Sequence, residues 1–240
     1  MARMLARSLD TYSRRARLEP ALLTVLPVGL AVIAWFPSAL TSWGVFLGIL
    51  TSAGGTALLS QVARDRGKKK EVELFQSWGG KPTTVRLRHR DCHNAVLLGR
   101  RHQKLQKLLA SKIPNSAEEA ENSAHADAVY DSCVARLIEK TRDRKKFPLV
   151  FDENCSYGFR RNLWGMKPIG VLLAMLGLLA SIARLSLDYY QHTSPTPFSI
   201  AAAAVNLVLL LGWTLWFTPG WVRIAADAYA ERLLASLETL

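Results

Sequence analysis

The stretch ALLTVLPVGLAVIAWFPSALTSWGVFLGILTSAGGTALLS, residues 21–60, holds forty residues without a charged side chain. As one helix it would measure roughly 60 Å, about twice the ~30 Å hydrocarbon core of a bilayer. A proline and hydroxyl side chains interrupt it at Phe36-Pro37-Ser38 and at Thr41-Ser42. The sequence therefore predicts two membrane helices, over about 21–40 and 43–62, joined by a tight turn.

A second apolar pair lies toward the C-terminus, from Pro168 to Leu187 and from Phe198 to Thr218. The segment between them, DYYQHTSPTP (188–197), has prolines and polar residues that suit a short loop at the membrane surface. Five arginines precede the first apolar run, as in a signal peptide, but that run is too long and merges into a second one. We expect four spanning helices and no cleavage.

Lysine and arginine placement predicts the orientation. Five arginines precede the first span, 23 Lys or Arg lie between Ala63 and Lys167, and two follow the last span. By the positive-inside rule, both termini and the central region of this multi-pass protein face the cytoplasm. The three cysteines are odd in number and lie in a reducing compartment, so no disulfide framework is expected.

The predicted fold is an all-α membrane protein with four transmembrane helices in two hairpins, a helical basic cytosolic domain between them and a C-terminal cytosolic helix. The central region carries 23 basic and 13 acidic side chains, a net +10 of the chain's +12. The predicted segments are a basic N-terminus (1–19), a first hairpin (20–62), the cytosolic domain (63–167), a second hairpin (168–218) and an amphipathic helix (219–240).

A basic stripe is the main functional signal of the cytosolic domain. Residues 85–110 read as one helix, on which positions 86, 90, 93, 97, 100, 104 and 107 recur at steps of four and three along one edge. Leucines at 87, 98, 105 and 109 project toward the interior. Such one-sided charge is costly unless an anionic partner relieves it, which predicts ligand contacts for Arg86, Arg90, Arg100, Lys104 and Lys107.

A second predicted helix covers residues 117–146, with Ser116 as its N-cap. Its apolar seam is formed by Ala126, Tyr130, Cys133 and Leu137. Basic residues flank this seam and form either a solvated face or a second part of the binding surface: Arg136, Lys140 and Arg144.

Two anionic partners are considered for this charge. Lipid headgroups explain RDRGKKK (64–70) and FRRNLWGMK (159–167), which flank the membrane. For the stripe, the phosphates of a nucleotide or short single strand are the sharper candidate, because arginine offers bidentate contacts to phosphate oxygens. Single-strand binding also uses aromatic platforms, for which the candidates are Trp78, Tyr130, Phe151 and Tyr157.

Catalytic and metal chemistry is not predicted. His89 and His93 share a helical face, but no compact second Cys/His pair follows and the neighbouring arginines repel a cation. The run Asp152-Glu153-Asn154-Cys155 is not tied by spacing to a histidine base, and no phosphate-cradling glycine loop or hydrolase motif occurs. We expect no metal, no cofactor and no enzymatic activity, with a membrane-bound enzyme as the third alternative.

Polar residues within the predicted spans are the candidates for a pore or gate: Thr51, Thr56, Asn206, Arg184 and Asp188. Arg184 and Asp188 are four residues apart and can pair. For Asn206 the alternative is a hydrogen bond to a neighbouring helix. Four helices make no wide pore, so conduction would require several subunits.

The C-terminal tail offers an apolar seam, formed by Val222, Ala226, Tyr229, Leu233, Leu237 and Leu240. Its period is nearer 3.6 than 3.5, because a strict heptad would place Ser236 in the seam. Two interpretations stay open: a helix packed on the cytosolic domain or membrane surface, and a coiled-coil contact between subunits. The second predicts oligomerisation through Tyr229, Leu233, Leu237 and Leu240.

The layout resembles bacterial membrane effectors of anti-phage defence, most nearly the channel proteins of the Hailong system. The likeness rests on RLRHRDCHNAVLLGRRHQK (86–104), YDSCVARLIEKTRDRKKFPLVF (130–151) and SYGFRRNLWGMKPIG (156–170) together with the order of spans. It implies a tetrameric ion channel held shut by short single-stranded DNA oligomers, which a partner nucleotidyltransferase makes, and opened during phage infection. No functional residue is carried over from that family.

The leading hypothesis is therefore an oligomeric membrane channel gated by a nucleotide or short oligonucleotide bound to its cytosolic domain. The second is a non-conducting membrane scaffold that binds anionic lipids or a partner protein.

Overall fold

The computed structural model describes residues 11–37, 54–109 and 112–240. Within these ranges the chain is helical and has no β-strand. Most of the predicted turn at 36–42 and the predicted span 43–62 up to residue 53, including Thr51, lie outside the described residues.

We number the helices of the described ranges in chain order. They are α1 (Thr11–Trp35), α2 (Gly55–Ser77), α3 (Pro82–Val85), α4 (Ala95–Leu109), α5 (Ser116–Glu121), α6 (Ser123–Lys140), α7 (Pro148–Tyr190), α8 (Pro197–Trp216) and α9 (Pro219–Ala235), followed by a 3-10 turn at Ser236–Glu238.

Three of these helices, α1, α7 and α8, are long and apolar enough to cross a membrane. Their outer faces carry many large apolar side chains that no other described residue covers, among them Leu172, Leu176 and Leu179 of α7 and Val208 of α8. A contiguous apolar surface of this kind is unfavourable in water and suits lipid. The chain is therefore a membrane protein, and three of the four predicted spans have a counterpart in the described residues.

The chain forms two compact units. Unit 1 contains the described residues up to Glu71 and Gly158–Val222, and unit 2 contains Val72–Tyr157 and Arg223–Leu240. Unit 2 is narrower than the predicted cytosolic domain (63–167) and includes most of the C-terminal segment, which the sequence set apart. Three helices, α2, α7 and α9, contribute residues to both units.

In unit 1, α1, α7 and α8 pack through small residues and one buried tryptophan. Trp213 is fully buried and lies against Gly170, where an added Cβ would come within 2.4 Å of the indole. The Trp35 indole donates a hydrogen bond of 2.9 Å to the carbonyl of Ala180. These contacts join α1 and α8 to α7 in the manner of close-packed membrane helices.

Helices α2 and α7 cross at a pair of glycines in unit 1. A Cβ on Gly165 would lie 2.5 Å from the amide nitrogen of Gly67, so the two backbones meet directly. Beside this crossing, Arg161 donates to Glu71 at 2.8 Å, and the Asn162 side chain donates to the Ala16 carbonyl at 2.6 Å. Within the basic segment 64–70, Gly67 therefore faces α7, while Arg64, Arg66, Lys68 and Lys69 are exposed.

Unit 2 has a separate apolar core in which α4, α6 and α9 meet. Four α6 residues predicted to form its seam, at 126, 130, 133 and 137, are fully buried there, which confirms that prediction. The predicted helix 117–146 is wrong in its bounds: α5 and α6 are separate, and α6 ends at Lys140. The cap before α5 is Asn115 rather than Ser116, and it forms a capping box with Glu118.

The C-terminal helix α9 packs within unit 2. Leu233, Leu234 and Leu237 are at most 2% exposed and belong to the unit 2 core, while Tyr229 stacks on Tyr157 at 6.3 Å between ring centres. Leu233 and Leu237 are therefore not available to a neighbouring subunit, and the intramolecular interpretation is favoured. Leu240, with 52% of its surface exposed, is the one predicted oligomerisation residue of this group that lies at the surface.

Candidate anion site

The predicted helix over 85–110 is wrong in its first half. Helix α3 ends at Val85, α4 begins at Ala95, and residues 86–94 form turns. The backbone amides of His89 and Arg90 donate to the carboxylate of Glu119, at 2.8 and 3.2 Å, instead of to carbonyls of a preceding helical turn. Positions 86 to 107 therefore do not form one straight stripe.

Glu119 is the buried centre of this loop. Only 2% of its surface is exposed, and it also accepts hydrogen bonds from the Tyr130 hydroxyl (2.7 Å) and the Arg90 guanidinium (3.0 Å). Burial raises the pKa of its carboxyl, but these hydrogen bonds outweigh burial and hold the pKa below its ordinary value. The carboxylate is thus charged and fully used by the loop that it orders.

Arg88 and Arg90 are held by carboxylates of the same unit. Arg88 is 8% exposed and donates twice to Asp127, at 2.8 and 2.7 Å, and once to Asp91, at 3.1 Å. Burial lowers the pKa of this guanidinium, but the hydrogen bonds to the two aspartates raise it further than burial lowers it. Arg90 lies 2.9 Å from Asp127 and 3.0 Å from Glu119. Arg90 was predicted to contact a ligand, but its guanidinium group is mostly occupied by these two ion pairs within unit 2.

The remaining members of the predicted stripe lie near the chain's end. Lys104 contacts Glu238 at 3.1 Å and the carbonyl of Leu237 at 2.9 Å, and Arg100 is 3.9 Å from Glu238. Lys107 is exposed and has no carboxylate partner among the residues that the structure describes. The stripe is therefore mostly compensated by unit 2's own carboxylates, which the sequence did not predict.

The second predicted group stays on the surface. Arg136, Lys140 and Arg144 are all exposed, and α6 ends at Lys140, so Arg144 lies in the turns that follow rather than on the same helix. No described feature brings these three residues to the loop at 86–94.

A cleft in unit 2 brings together cations that are far apart in the sequence. Two adjoining cavities, of about 240 and 540 Å³, share Trp78, Val85, Asp91, His93 and Arg223 in their walls. Arg86 and Asp227 line the smaller one, while Arg88, Arg90 and Cys92 line the larger one. A space of this size, with an indole on one wall and several guanidinium groups, suits an anion that carries a flat ring.

The indole lies in the cleft because α2 ends there. Gly79 and Gly80 adopt left-handed backbone angles, with φ of 78° and 140°, and the Gly80 amide donates to the Phe75 carbonyl at 2.8 Å. This is a glycine helix stop, and it leaves Trp78 at the turn. An added Cβ at Gly80 would lie 2.7 Å from the Arg88 guanidinium, so the turn and the buried arginine fit together.

Of the cleft residues, the sequence singled out Arg86 and Arg90 as ligand contacts and Trp78 as a platform. It missed Arg88, Arg223 and Asp227, and it considered His93 only as part of the stripe and as a possible zinc ligand. The Trp78-Gly79-Gly80 run was a usable signal for a helix end. Arg223, which follows the last span, gave no local signal, because only tertiary packing brings it to the loop.

Other predicted aromatic platforms are not free. Tyr130 is fully buried beside Glu119, and Tyr157 is 7% exposed and stacked on Tyr229. Only Trp78 of the four predicted platforms lines the cleft.

His89, which was considered for zinc, and the nearby His102 both contact backbone carbonyls. His89 and His102 place their Nε2 atoms 3.2 and 2.8 Å from the carbonyls of Pro114 and Leu87. His89 and His93 do not share a helical face, because residues 86–94 are not helical. Among the described residues, no group of three or more His, Cys, Asp or Glu is placed to hold a metal ion.

The membrane residues named as a pore or gate are distributed through unit 1. Asn206 is fully buried, and its Nδ2 lies 3.3 Å from the Ser181 hydroxyl and 3.5 Å from the Pro27 carbonyl, which favours the helix-bonding alternative. Arg184 and Asp188 pair at 2.7 Å, as the spacing predicted. Thr56 lies half-buried on α2.

Comparisons of the chain with protein-family models, with curated proteins and with solved structures find no match.

Proposed function

We propose that this protein is a multi-pass membrane effector in which unit 2 lies in the cytosol and binds a nucleotide or short oligonucleotide in the cleft. Binding shifts the membrane-spanning helices between closed and open states of a pore formed by several copies of the chain. The cleft is the observation that carries this proposal, since it combines Trp78 with Arg86 and Arg223 in one space.

The chemistry of the cleft supports a nucleotide over other anions. Guanidinium groups make paired hydrogen bonds to phosphate oxygens, and an indole offers a face on which a base can stack. Arg86 and Arg223 have side chains that are 34% and 52% exposed, so both remain reachable from solvent. Their contacts with the Asp227 carboxylate are long, 3.3 Å for Arg86 and 3.6 Å for Arg223, so a ligand can replace the carboxylate as their partner.

The orientation, with both termini in the cytoplasm, rests on the distribution of lysine and arginine. The placement in a bacterial inner membrane rests on the resemblance to Hailong channel proteins. The role in anti-phage defence, the tetrameric state and a partner nucleotidyltransferase rest on the resemblance to Hailong channel proteins alone.

Equilibrium binding to the purified full-length protein in detergent tests the ligand. The probe is a short DNA oligonucleotide with a 5′-phosphate and a fluorophore at its 3′ end. We expect salt-sensitive binding that Arg86→Gln weakens about tenfold, because a charge-assisted hydrogen bond contributes roughly 1.5–3 kcal/mol.

The control is Lys69→Gln, which removes an exposed charge from the segment 64–70 and should leave binding unchanged. Absence of binding at low salt, or an equal loss in both variants, would refute the nucleotide site.

A second function, a non-conducting scaffold on anionic lipid, is favoured by one observation. Arg64, Arg66, Lys68 and Lys69 are all exposed on α2, directly after its apolar first turns. Charges next to a membrane attract anionic headgroups by about 1 kcal/mol each. This function predicts that neutralising the four residues weakens binding to phosphatidylserine vesicles and that the reconstituted protein conducts no ions.

A further inference from the structure

One carboxylate lies between the two reachable arginines of the cleft. Asp227 of α9 is 3.3 Å from the Arg86 guanidinium and 3.6 Å from Nε of Arg223. Its side chain is 38% exposed, and it lines the same cavity as both arginines and Trp78. The cleft thus already contains an anionic group between its two open cations.

Asp227 satisfies this pair only in part. The Nε atom of Arg86 is buried and has no hydrogen-bond partner among the described residues. Glu231, the next acid on the same face of α9, is 3.8 Å from Arg86 but makes its short contact, 2.5 Å, with Arg101. Arg86 therefore keeps a donor that its own carboxylates do not use, which is costly for a buried group.

We infer that Asp227 holds the place of a ligand oxygen, and that the cleft selects a phosphate monoester over a phosphodiester. This inference rests on the proposed nucleotide site and adds to it the class of phosphate and the residue that sets affinity. A terminal phosphate enters between the guanidinium groups of Arg86 and Arg223 and displaces the Asp227 carboxylate toward solvent.

The charges of Arg86, Arg223 and Asp227 explain why a monoester should bind more tightly than a diester. Asp227 is the carboxylate that contacts both Arg86 and Arg223, so a ligand must offer these two guanidinium groups more negative charge than Asp227 does in order to displace it. A monoester carries close to two negative charges at neutral pH and three oxygens, whereas a diester carries one charge and two free oxygens. Both esters can offer an oxygen to each guanidinium group, but the monoester brings about twice the negative charge and therefore bonds the two groups more strongly and repels the carboxylate more strongly.

Calorimetric titration of the full-length protein in detergent tests the selectivity with two ligands that share base and sugar. Adenosine 5′-monophosphate carries a monoester, and cyclic 3′,5′-adenosine monophosphate carries a diester. We expect the monoester to bind about tenfold more tightly, as one charge-assisted hydrogen bond predicts. Equal affinities, or a preference for the cyclic ester, would overturn the inference.

Substitution of Asp227 tests its part as the competing anion. Asp227→Asn should tighten binding of the monophosphate by up to about fivefold, since an exposed ion pair is worth at most ~1 kcal/mol, and Arg223→Gln should weaken it about tenfold. The matched control is Glu238→Gln, which removes an acid paired with Lys104 outside the cleft and should change nothing. Unchanged or weaker binding by Asp227→Asn, in protein that melts like the wild type, would overturn the inference.

Different results would refute the nucleotide site and the role of Asp227. If the labelled oligonucleotide and both adenosine ligands all fail to bind, the nucleotide site itself is wrong. If binding occurs and depends on Arg86 but ignores Asp227 and the ester type, the site stands and the inference falls.

Discussion

At the scale of single residues, unit 2 is organised by buried charges that meet in its loop. Glu119 accepts hydrogen bonds from two backbone amides, a tyrosine hydroxyl and a guanidinium, and Asp127 forms ion pairs with two arginines. A buried carboxylate with this many donors orders a loop more firmly than local propensity does. The loop that carries Arg86 to the cleft therefore depends on residues far from it in sequence.

Replacing Glu119 tests this dependence. Glu119→Gln keeps the shape but removes the charge, leaving Arg90 and two amides with a weaker acceptor, and we expect about 3 kcal/mol lower stability of unit 2. The measurement is thermal unfolding in detergent, followed by circular dichroism. Glu121→Gln, an exposed acid of the same helix, is the control. A melting temperature equal to that of the wild type would contradict the central place of Glu119.

The pH dependence of stability follows from two buried groups. Burial lowers the pKa of His102, which favours the neutral imidazole in the folded state, and its Nε2–H donates a hydrogen bond to the Leu87 carbonyl. In the unfolded chain His102 takes up a proton near pH 6.5, so the stability of the folded protein falls as the pH falls below about 6.5.

On the alkaline side, burial raises the pKa of Cys133 to about 11. The thiol of the unfolded chain loses its proton at the ordinary value of 9.0, so stability falls as the pH rises above that value.

Thermal melts between pH 8 and pH 5 check the acid limb. The wild type should lose stability below about pH 6.5, and His102→Gln, which can donate to the same carbonyl without titrating, should lose less over that interval. The same slope in both proteins would show that His102 is not the titrating group.

At the scale of helices, substitutions in the C-terminal segment distinguish a seam packed within unit 2 from a coiled coil between subunits. Leu233 is fully buried in unit 2, and Leu240 is 52% exposed. We expect Leu233→Ala to destabilise unit 2 by about 2–5 kcal/mol and Leu240→Ala to change its stability little. Thermal melts at several protein concentrations check this. A coiled coil between subunits would instead make both effects depend on concentration.

The sequence predicts a helix well where local periodicity decides the structure, and poorly where distant residues bond the backbone. The α6 seam was predictable because Ala126, Tyr130, Cys133 and Leu137 follow the helical period and meet the core directly. The basic stripe was not, because a periodic pattern at 86–94 was overruled by Glu119, whose contacts span some thirty residues of chain. The pairing of Lys104 with Glu238 likewise requires the folded tail.

The same limit applies to the site. Sequence spacing found Arg86 as a member of the basic stripe, and Trp78 was named as one of four aromatic side chains of the central region on which a base could stack. It did not find Arg223 and Asp227, since both lie beyond the last span and reach the loop only through the packing of α9.

At the scale of the whole molecule, the topology can be tested with single cysteines. In a Cys92→Ser background the other two native thiols are buried, and Lys146→Cys and Tyr190→Cys place reactive groups at exposed positions. A membrane-impermeant maleimide should label Tyr190→Cys in intact spheroplasts and Lys146→Cys only after permeabilisation. The reverse labelling would place unit 2 outside the cytosol.

The most direct test of the account is ionic current through the reconstituted protein in planar bilayers, recorded before and after adenosine 5′-monophosphate is added on the side of unit 2. The account predicts a current that the nucleotide changes in the wild type and leaves unchanged in Arg86→Gln. Absence of any current, or an equal response of both proteins, would contradict a pore governed by the cleft.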